Sequence, residues 1–186
     1  MTIKKTKEYK LGNLEFINYT QLIDQDLFSV LEYRNHIEVR SMMNDPHIIS
    51  KDEHLEFIEK LKTDLCNFYW IVRKKEKIIG SVYLSKVDYL KKDAFWGIFL
   101  NPKYIGTGLG VEIEFESMKL FFQEFKFSSI KGEVLEKNKD SHSIQIRFNF
   151  KEIENQSICT LYQLTSEDWT LLPETFKQFK LKYLLR

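Results

Sequence analysis

The chain has 186 residues, of which 43% are hydrophobic, 30% charged and 15% aromatic. This composition excludes a chain that is disordered throughout and predicts one domain with a substantial core. The 28 Lys and Arg residues balance the 27 Asp and Glu residues, so the net charge of +1 gives none of the overall basic character of a typical nucleic-acid-binding protein.

Alternating and helical apolar patterns predict a mixed α/β order of elements. The predicted elements are a strand at 14–19, helices at 24–34 and from residue 50, strands at 68–73, 78–87 and 94–100, a helix at 110–125, a strand at 130–135, a helix at 141–148 and a strand at 158–165. Ser50 and Glu53 have the spacing of a capping box. Short charged turns separate the three middle strands, which predicts an antiparallel meander.

We expect a single domain over residues 1–186, with a core at about 14–170 and a C-terminal helical tail. In the tail, Phe176, Phe179 and Tyr183 share one face. This stripe predicts packing rather than membrane binding, and it leaves a homodimer open. No apolar stretch is long enough to span a membrane, and no apolar segment follows the early lysines as in a secretory signal. A cytoplasmic protein is therefore expected.

Two cysteines are too few for a disulfide scaffold or a zinc finger, and the four histidines have no recognised metal spacing. We therefore expect no metal.

Three of the seven glycines fall in Gly106-Thr107-Gly108-Leu109-Gly110, between a predicted strand and a predicted helix. Glycines let backbone N–H groups approach an anion closely, and a helix N-terminus adds unpaired donors and a positive dipole end. The loop lacks the Gly-Lys-Ser/Thr ending of a P-loop, and the preceding meander differs from a Rossmann βαβ unit. A pyrophosphate loop of the coenzyme A type remains, with a plain turn as the alternative.

With this loop, the sequence resembles the GNAT (GCN5-related) N-acetyltransferases, whose loop reads Gln/Arg-x-x-Gly-x-Gly/Ala. Both required glycines match, whereas Ile105 replaces the first Gln or Arg. The resemblance implies a GNAT fold with a mixed, largely antiparallel sheet flanked by helices, and acetyl-CoA as co-substrate. It further implies that the donor is held by Phe99, Leu100, Ile105, Gly106, Thr107, Gly108, Leu109, Gly110 and Asn138.

Within this family the chain looks most like the sugar-nucleotide N-acetyltransferases of pseudaminic acid biosynthesis. The stretches that carry this likeness are 31–36 (Leu-Glu-Tyr-Arg-Asn-His), 49–50 with 54–58, 97–98 and 101–102. The likeness implies acetylation of the 4-amino group of a UDP-linked dideoxy amino sugar, with Arg34 and His36 as candidate substrate-binding residues. Two alternatives stay open: a protein N-terminal or small-amine acetyltransferase, and a catalytically silent acyl-CoA-binding module.

Acetyl transfer to an amine needs a base, a polarised carbonyl and a proton for the leaving thiolate. The resemblance implies that a free backbone N–H at the end of the strand before the loop, at Phe99 and Leu100, polarises the carbonyl. Glu133, on a predicted strand, is the candidate base, on the expectation that it points into an apolar cleft. The resemblance implies a general-acid tyrosine seven residues after Asn138, where this sequence has Gln145. Gln145 can donate a hydrogen bond but supplies no proton. Tyr83 is therefore a candidate replacement.

Overall fold

A computed structural model describes residues 3–171, and the predicted tail at 175–185 lies outside the described residues. Within this range the strands form one eight-stranded sheet in the order β1-β2-β3-β4-β5-β6-β8-β7. The strands are β1 (Tyr9–Leu11), β2 (Leu14–Asn18), β3 (Phe68–Lys74), β4 (Lys77–Asp88), β5 (Asp93–Leu100), β6 (Ser129–Leu135), β7 (Lys151–Asn155) and β8 (Cys159–Thr165).

The predicted fold class, a mixed and largely antiparallel sheet flanked by helices, is confirmed. Strands β3, β4 and β5 form the predicted meander. Every neighbouring pair in the sheet is antiparallel except β5 and β6, which run parallel. This parallel pair requires a crossover, which the glycine loop and the helix after it provide.

Six α-helices occur among the described residues: α1 (Asp24–Asn35), α2 (Ile37–Arg40), α3 (Lys51–Thr63), α4 (Leu109–Lys119), α5 (Lys139–Arg147) and α6 (Ser166–Thr170). The predicted capping box begins α3. The Ser50 side chain accepts a hydrogen bond from the Glu53 backbone N–H, and the Glu53 side chain accepts one from the Ser50 backbone N–H. The predicted helix at 110–125 is α4 followed by a π-helical turn at Leu120–Glu124. In the described part of the chain, no helix has the length and apolar character of a membrane span.

Helices cover both faces of the sheet, so neighbouring strand residues enter different cores. On one face, Phe16 and Trp70 join the larger apolar cluster, which includes Phe121 after α4. On the other face, Ile17 and Ile71 pack in a second cluster with residues of α1 and α3. Burial on both faces explains why β3 reads as a continuous aromatic and aliphatic run rather than as a strict alternation.

Sequence patterns did not predict four of these strands and helices: β1, α2, β7 and the five-residue α6. All five residues of β7 are exposed, so this edge strand has no apolar alternation to reveal it. The three residues of β1 and the four of α2 are too short to establish a period.

Candidate active site

The parallel strands β5 and β6 separate and open a cleft in the sheet. Their ladder pairs only Asp93–Phe95 with Ser129–Lys131. Each strand stays paired with its outer neighbour beyond that point, β5 with β4 up to Leu100 and β6 with β8 up to Leu135. The divergence therefore produces a V-shaped gap between two intact half-sheets.

A cavity of about 400 Å³ occupies this gap. It brings together residues that lie more than 100 positions apart in the sequence. Six of the predicted site residues line it: Arg34, Tyr83, Phe99, Glu133, Asn138 and Gln145.

The end of β5 carries backbone N–H groups that face the gap. The Asn101 N–H donates to the Ile79 carbonyl across the β4 edge. Because N–H direction alternates along an antiparallel pair, the Phe99 N–H also faces β4, whereas those of Ile98 and Leu100 face β6. Phe99 and Leu100 are the residues expected from the sequence to polarise the carbonyl. The alternating N–H direction supports carbonyl polarisation by the Leu100 N–H. It assigns the same role to the Ile98 N–H rather than to that of Phe99.

The glycine loop begins four residues after the Asn101 turn and ends at the N-terminus of α4. Gly106 and Gly108 have positive φ values of 78° and 84°, which favour glycine. A Cβ atom at either position would meet no heavy atom within 4 Å, so both glycines border open space. Ile105, at the head of the loop, is exposed.

Several backbone donors of this loop are unused. Gly108 caps α4 without a side-chain hydrogen bond. Among the described residues, the N–H groups of Gly106, Gly108, Leu109 and Gly110 donate no hydrogen bond. Four unpaired donors at the positive end of an 11-residue helix fit a bound pyrophosphate well. Thr107 instead closes the loop, since its hydroxyl donates to the Tyr104 carbonyl at 2.7 Å.

Glu133 lies at the mouth of the cavity. Its side chain is exposed because Gly132 and Val134 take the buried positions of β6. The expected enclosure of this carboxylate by apolar side chains is therefore wrong. One carboxylate oxygen, Oε2, accepts a hydrogen bond from Asn44 Nδ2 at 2.8 Å, which ties the loop after α2 to β6.

Tyr83 lies on β4 with its ring stacked on Tyr69, at a centroid separation of 5.0 Å. The ring also covers Gly97, where a Cβ atom would lie 2.2 Å from the Tyr83 hydroxyl oxygen. Burial raises the pKa of Tyr83, and the negative charge of Glu133 adds to this effect while Arg34 opposes it. The hydroxyl therefore holds its proton at neutral pH.

Gln145 is buried on α5, and its Nε2 donates to Glu114 Oε1 at 3.1 Å. Burial raises the pKa of Glu114 to about 8, against the opposing effect of the Gln145 hydrogen bond. Gln145 is a site residue expected from the sequence, whereas Glu114 is not.

Arg34 has one guanidinium nitrogen engaged and one free. Its Nη2 donates to the Asp45 carbonyl at 2.7 Å, whereas its buried Nη1 has no hydrogen-bond partner among the described residues. Burial lowers the pKa of Arg34, and Asp45 opposes this effect. The positions of Asn44 and Asp45 could not be found by periodicity, because they lie in an exposed loop.

His36 and Asn138 have capping roles. His36 lies outside the cavity and is exposed, and its Nδ1 accepts from the Glu38 N–H at 3.4 Å at the start of α2. Asn138 caps α5 by accepting from the Ser141 N–H at 3.2 Å, and it borders the cavity. Within residues 3–171, no group of three His, Cys, Asp or Glu side chains is placed to hold a metal ion.

Comparison with known proteins identifies similar sequences and folds. The model of the acetyltransferase (GNAT) domain matches residues 17–151. Acetyltransferase PseH of Campylobacter jejuni serotype O:2 is 30% identical over 125 residues, which are 67% of this chain and 74% of that protein.

Two crystal structures share the fold. That of Campylobacter jejuni N-acetyltransferase PseH in complex with acetyl coenzyme A has a TM-score of 0.68 and 21% identity, and the match covers 82% of this chain and 98% of that one. That of spermidine N-acetyltransferase from Vibrio cholerae with CoA and spermine has a TM-score of 0.76 and 18% identity, over 85% of this chain and 98% of that one.

Proposed function

The chain belongs to the acetyltransferase (GNAT) family, and we propose that it acetylates the 4-amino group of a UDP-linked dideoxy amino sugar, as in pseudaminic acid biosynthesis. The acetyl donor is acetyl-CoA. The donor site is inferred from the gap between β5 and β6, which has unpaired N–H groups at its edge and a glycine loop beside it. The similarity to PseH supports the choice of acceptor.

Acetyl-CoA supplies an acetyl thioester. Backbone N–H groups of the chain can bind its pyrophosphate and stabilise the negative charge that develops on the thioester oxygen. The N–H groups of Gly106, Gly108, Leu109 and Gly110 are the proposed pyrophosphate donors. The N–H groups of Ile98 and Leu100 face the gap and are the proposed donors to the thioester carbonyl as negative charge develops on its oxygen.

Glu133 is the proposed general base. Its exposure at the cavity mouth suits removal of the amine proton through a water molecule. The hydrogen bond from Asn44 leaves one carboxylate oxygen of Glu133 available, since it engages only Oε2. The bond fixes the side chain without removing its charge.

Tyr83 is the proposed proton donor to the leaving thiolate. It lines the same cavity as Glu133, and its raised pKa keeps the hydroxyl protonated. Gln145, at the position of the usual tyrosine, can donate a hydrogen bond but not a proton. We therefore assign proton transfer to Tyr83 and charge stabilisation to Gln145.

The acceptor side of the cavity is suited to an anionic group. The free Nη1 of Arg34 is a buried donor with full positive charge, and Lys86 lines the same cavity. A guanidinium group with an unused nitrogen favours a phosphate or carboxylate oxygen. This feature supports an acceptor that carries phosphate groups, as a nucleotide-linked sugar does.

Acetyl-CoA and nucleotide sugars are metabolites of the cytoplasm, so the proposed reaction also places the enzyme there. A homodimer through the C-terminal tail stays a prediction, because the tail lies outside the described residues.

An acceptor panel tests the proposal. The purified chain and acetyl-CoA are incubated with a UDP-linked 4-amino dideoxy sugar, with spermidine or with a peptide that has a free amino terminus. Mass spectrometry then detects the addition of one acetyl group. We expect turnover of the UDP-sugar above the other two. Preferential acetylation of the peptide or spermidine would replace the proposed acceptor, and no product from any amine would indicate a silent acyl-CoA-binding module.

A further inference from the structure

A carboxylic acid and an amide are paired in the interior below the cavity. Glu114 on α4 is 3% exposed and Gln145 on α5 is 5% exposed. Their hydrogen bond, 3.1 Å from Gln145 Nε2 to Glu114 Oε1, joins the two helices that flank the gap. The roles proposed above do not use Glu114.

Two polar atoms at the cavity floor have no partner in the described structure. They are Trp96 Nε1 and Gln145 Oε1, both buried. Both lie around Gly132, where a Cβ atom would come within 2.9 Å of Trp96 Nε1 and 3.8 Å of Gln145 Oε1. A side chain at position 132 would collide with the Trp96 indole, so glycine is what lets the indole pack against β6 here, and all three residues line the cavity.

The state of Glu114 determines which atom of the Gln145 amide faces this space. An ionised carboxylate only accepts hydrogen bonds, so it binds the amide Nε2 and leaves Oε1 at the floor. A neutral carboxyl group also donates through its O–H, so it can bind the amide oxygen and leave Nε2 at the floor. The two orientations differ by a rotation of the amide that keeps its shape.

The surroundings of Glu114 favour the neutral form. On its own helix, Glu112 is paired with Lys74 at 2.6 Å and Glu116 with Lys119 at 3.0 Å. On α5, His142 is engaged by the Tyr162 hydroxyl and the Leu135 carbonyl. No charged group among the described residues is an identified influence on Glu114, whose pKa of about 8 results from burial.

We propose that Glu114 is a positioning residue that turns the Gln145 amide N–H₂ toward the cavity floor, where it forms with Trp96 Nε1 a pair of donors for the negative charge of the leaving sulfur. This inference rests on the proposed acetyl transfer. In that step, the bond between the acetyl carbon and nitrogen forms and the bond between carbon and sulfur breaks. The sulfur leaves with the electron pair and then takes the Tyr83 hydroxyl proton, and the amine proton goes to Glu133 through water. Glu114 keeps its proton throughout.

Substitutions of Glu114 separate orientation from packing. In Glu114→Gln, the new amide N–H₂ donates to Gln145 Oε1 at any pH, which reproduces the neutral carboxyl. In Glu114→Met, the volume is retained but the orienting group is lost. Glu116→Gln is a matched control, because Glu116 is buried on the same helix but pairs with Lys119 and does not line the cavity.

The first measurement is the pH dependence of kcat. We expect Glu114→Met to lower kcat on the order of 10-fold or more, with a small change in the KM for acetyl-CoA. Glu114→Gln restores kcat, and the ratio of its kcat to that of the wild type rises above about pH 8 as Glu114 ionises. A Glu114→Met variant with unchanged kcat, or a flat ratio, would overturn the inference.

The second measurement tests the two proposed N–H donors, Gln145 Nε2 and Trp96 Nε1, without any substrate turnover. Ultraviolet absorbance follows ionisation of the thiol of coenzyme A bound to each variant. Two N–H donors stabilise the thiolate, so its pKa falls below that of free coenzyme A in the wild type and in Glu114→Gln, and less so in Glu114→Met. Binding with an unshifted thiol overturns this inference alone. Failure of the folded wild type to bind coenzyme A overturns the proposed function and the inference together.

Discussion

Asn44 donates a hydrogen bond to Glu133 across 2.8 Å, which joins the loop between α2 and α3 to strand β6. The two residues are separated by 89 positions in the chain. The contact crosses the mouth of the cavity and sets the position of the candidate base. The same loop holds the Arg34 side chain, because the Asp45 carbonyl accepts a hydrogen bond from it. The contact therefore keeps this loop on the acceptor side of the cavity.

Replacing Glu133 by Gln should lower kcat about 10²-fold or more, because the amide cannot accept the amine proton. The measurement is the initial rate at saturating acetyl-CoA and UDP-amino sugar. Glu136→Gln is the matched control, since Glu136 accepts from the Thr160 hydroxyl and lies outside the cavity. A Glu133→Gln variant with full activity would show that another group is the base.

Alanine at Gly108 should weaken acetyl-CoA binding far more than alanine at Gly110. The φ of 84° at Gly108 strains any residue with a Cβ atom. Gly110 lies within α4, and its Cβ would meet Leu100 Cδ1 at an ordinary 3.4 Å. Calorimetric titration with acetyl-CoA checks the difference. Equal affinities for the two variants would contradict the role of the loop.

Tyr83→Phe should lower kcat by about 10²-fold while the KM for acetyl-CoA changes little, because only the proton donor is lost. The variant keeps the ring that stacks on Tyr69. Tyr69→Phe removes a hydroxyl from the other ring of the stack and should retain most activity. If both variants lose activity equally, the effect belongs to the stack rather than to the Tyr83 hydroxyl.

The contribution of Glu114 to the stability of the wild type should fall as pH rises from about 4.5 to 8. The pKa of Glu114 is 4.5 in a free chain and about 8 in the folded one, so the folded state holds its proton over this range while the unfolded state loses it. The contribution is therefore complete below pH 4.5 and lost as pH passes 8. Urea unfolding of the wild type and Glu114→Gln checks this, and the variant should lack that part of the decline. Parallel profiles would contradict it.

The sequence predicted the meander and the junction of strand, glycine loop and helix because their signals are local. Apolar runs of strand length separated by charged turns define β3, β4 and β5, and clustered glycines mark the start of α4. The glycine loop could be assigned to an anion for the same reason, since neighbouring residues supply all of its donors.

The remaining parts of the site depend on contacts between distant segments. No periodicity relates Asn44 to Glu133, and alternation on β6 alone could not show that Glu133 faces solvent. Glu114 did leave a signal: Glu112, Glu114 and Glu116 are two residues apart, and a helix rotates about 200° over two residues. These three carboxylates cannot all share one exposed face, and both Glu114 and Glu116 are buried.

Thermal unfolding with and without acetyl-CoA tests most directly the central claim that the gap between β5 and β6, with its glycine loop, is a donor site. Ligand at about 100 times its Kd adds roughly 2.7 kcal/mol of stability. At about 2–4 °C per kcal/mol for a chain of this size, we predict a rise in Tm of several degrees for the wild type and a smaller rise for Gly108→Ala. An unchanged Tm of the wild type at millimolar acetyl-CoA would contradict the assignment of the loop and the proposed reaction with it.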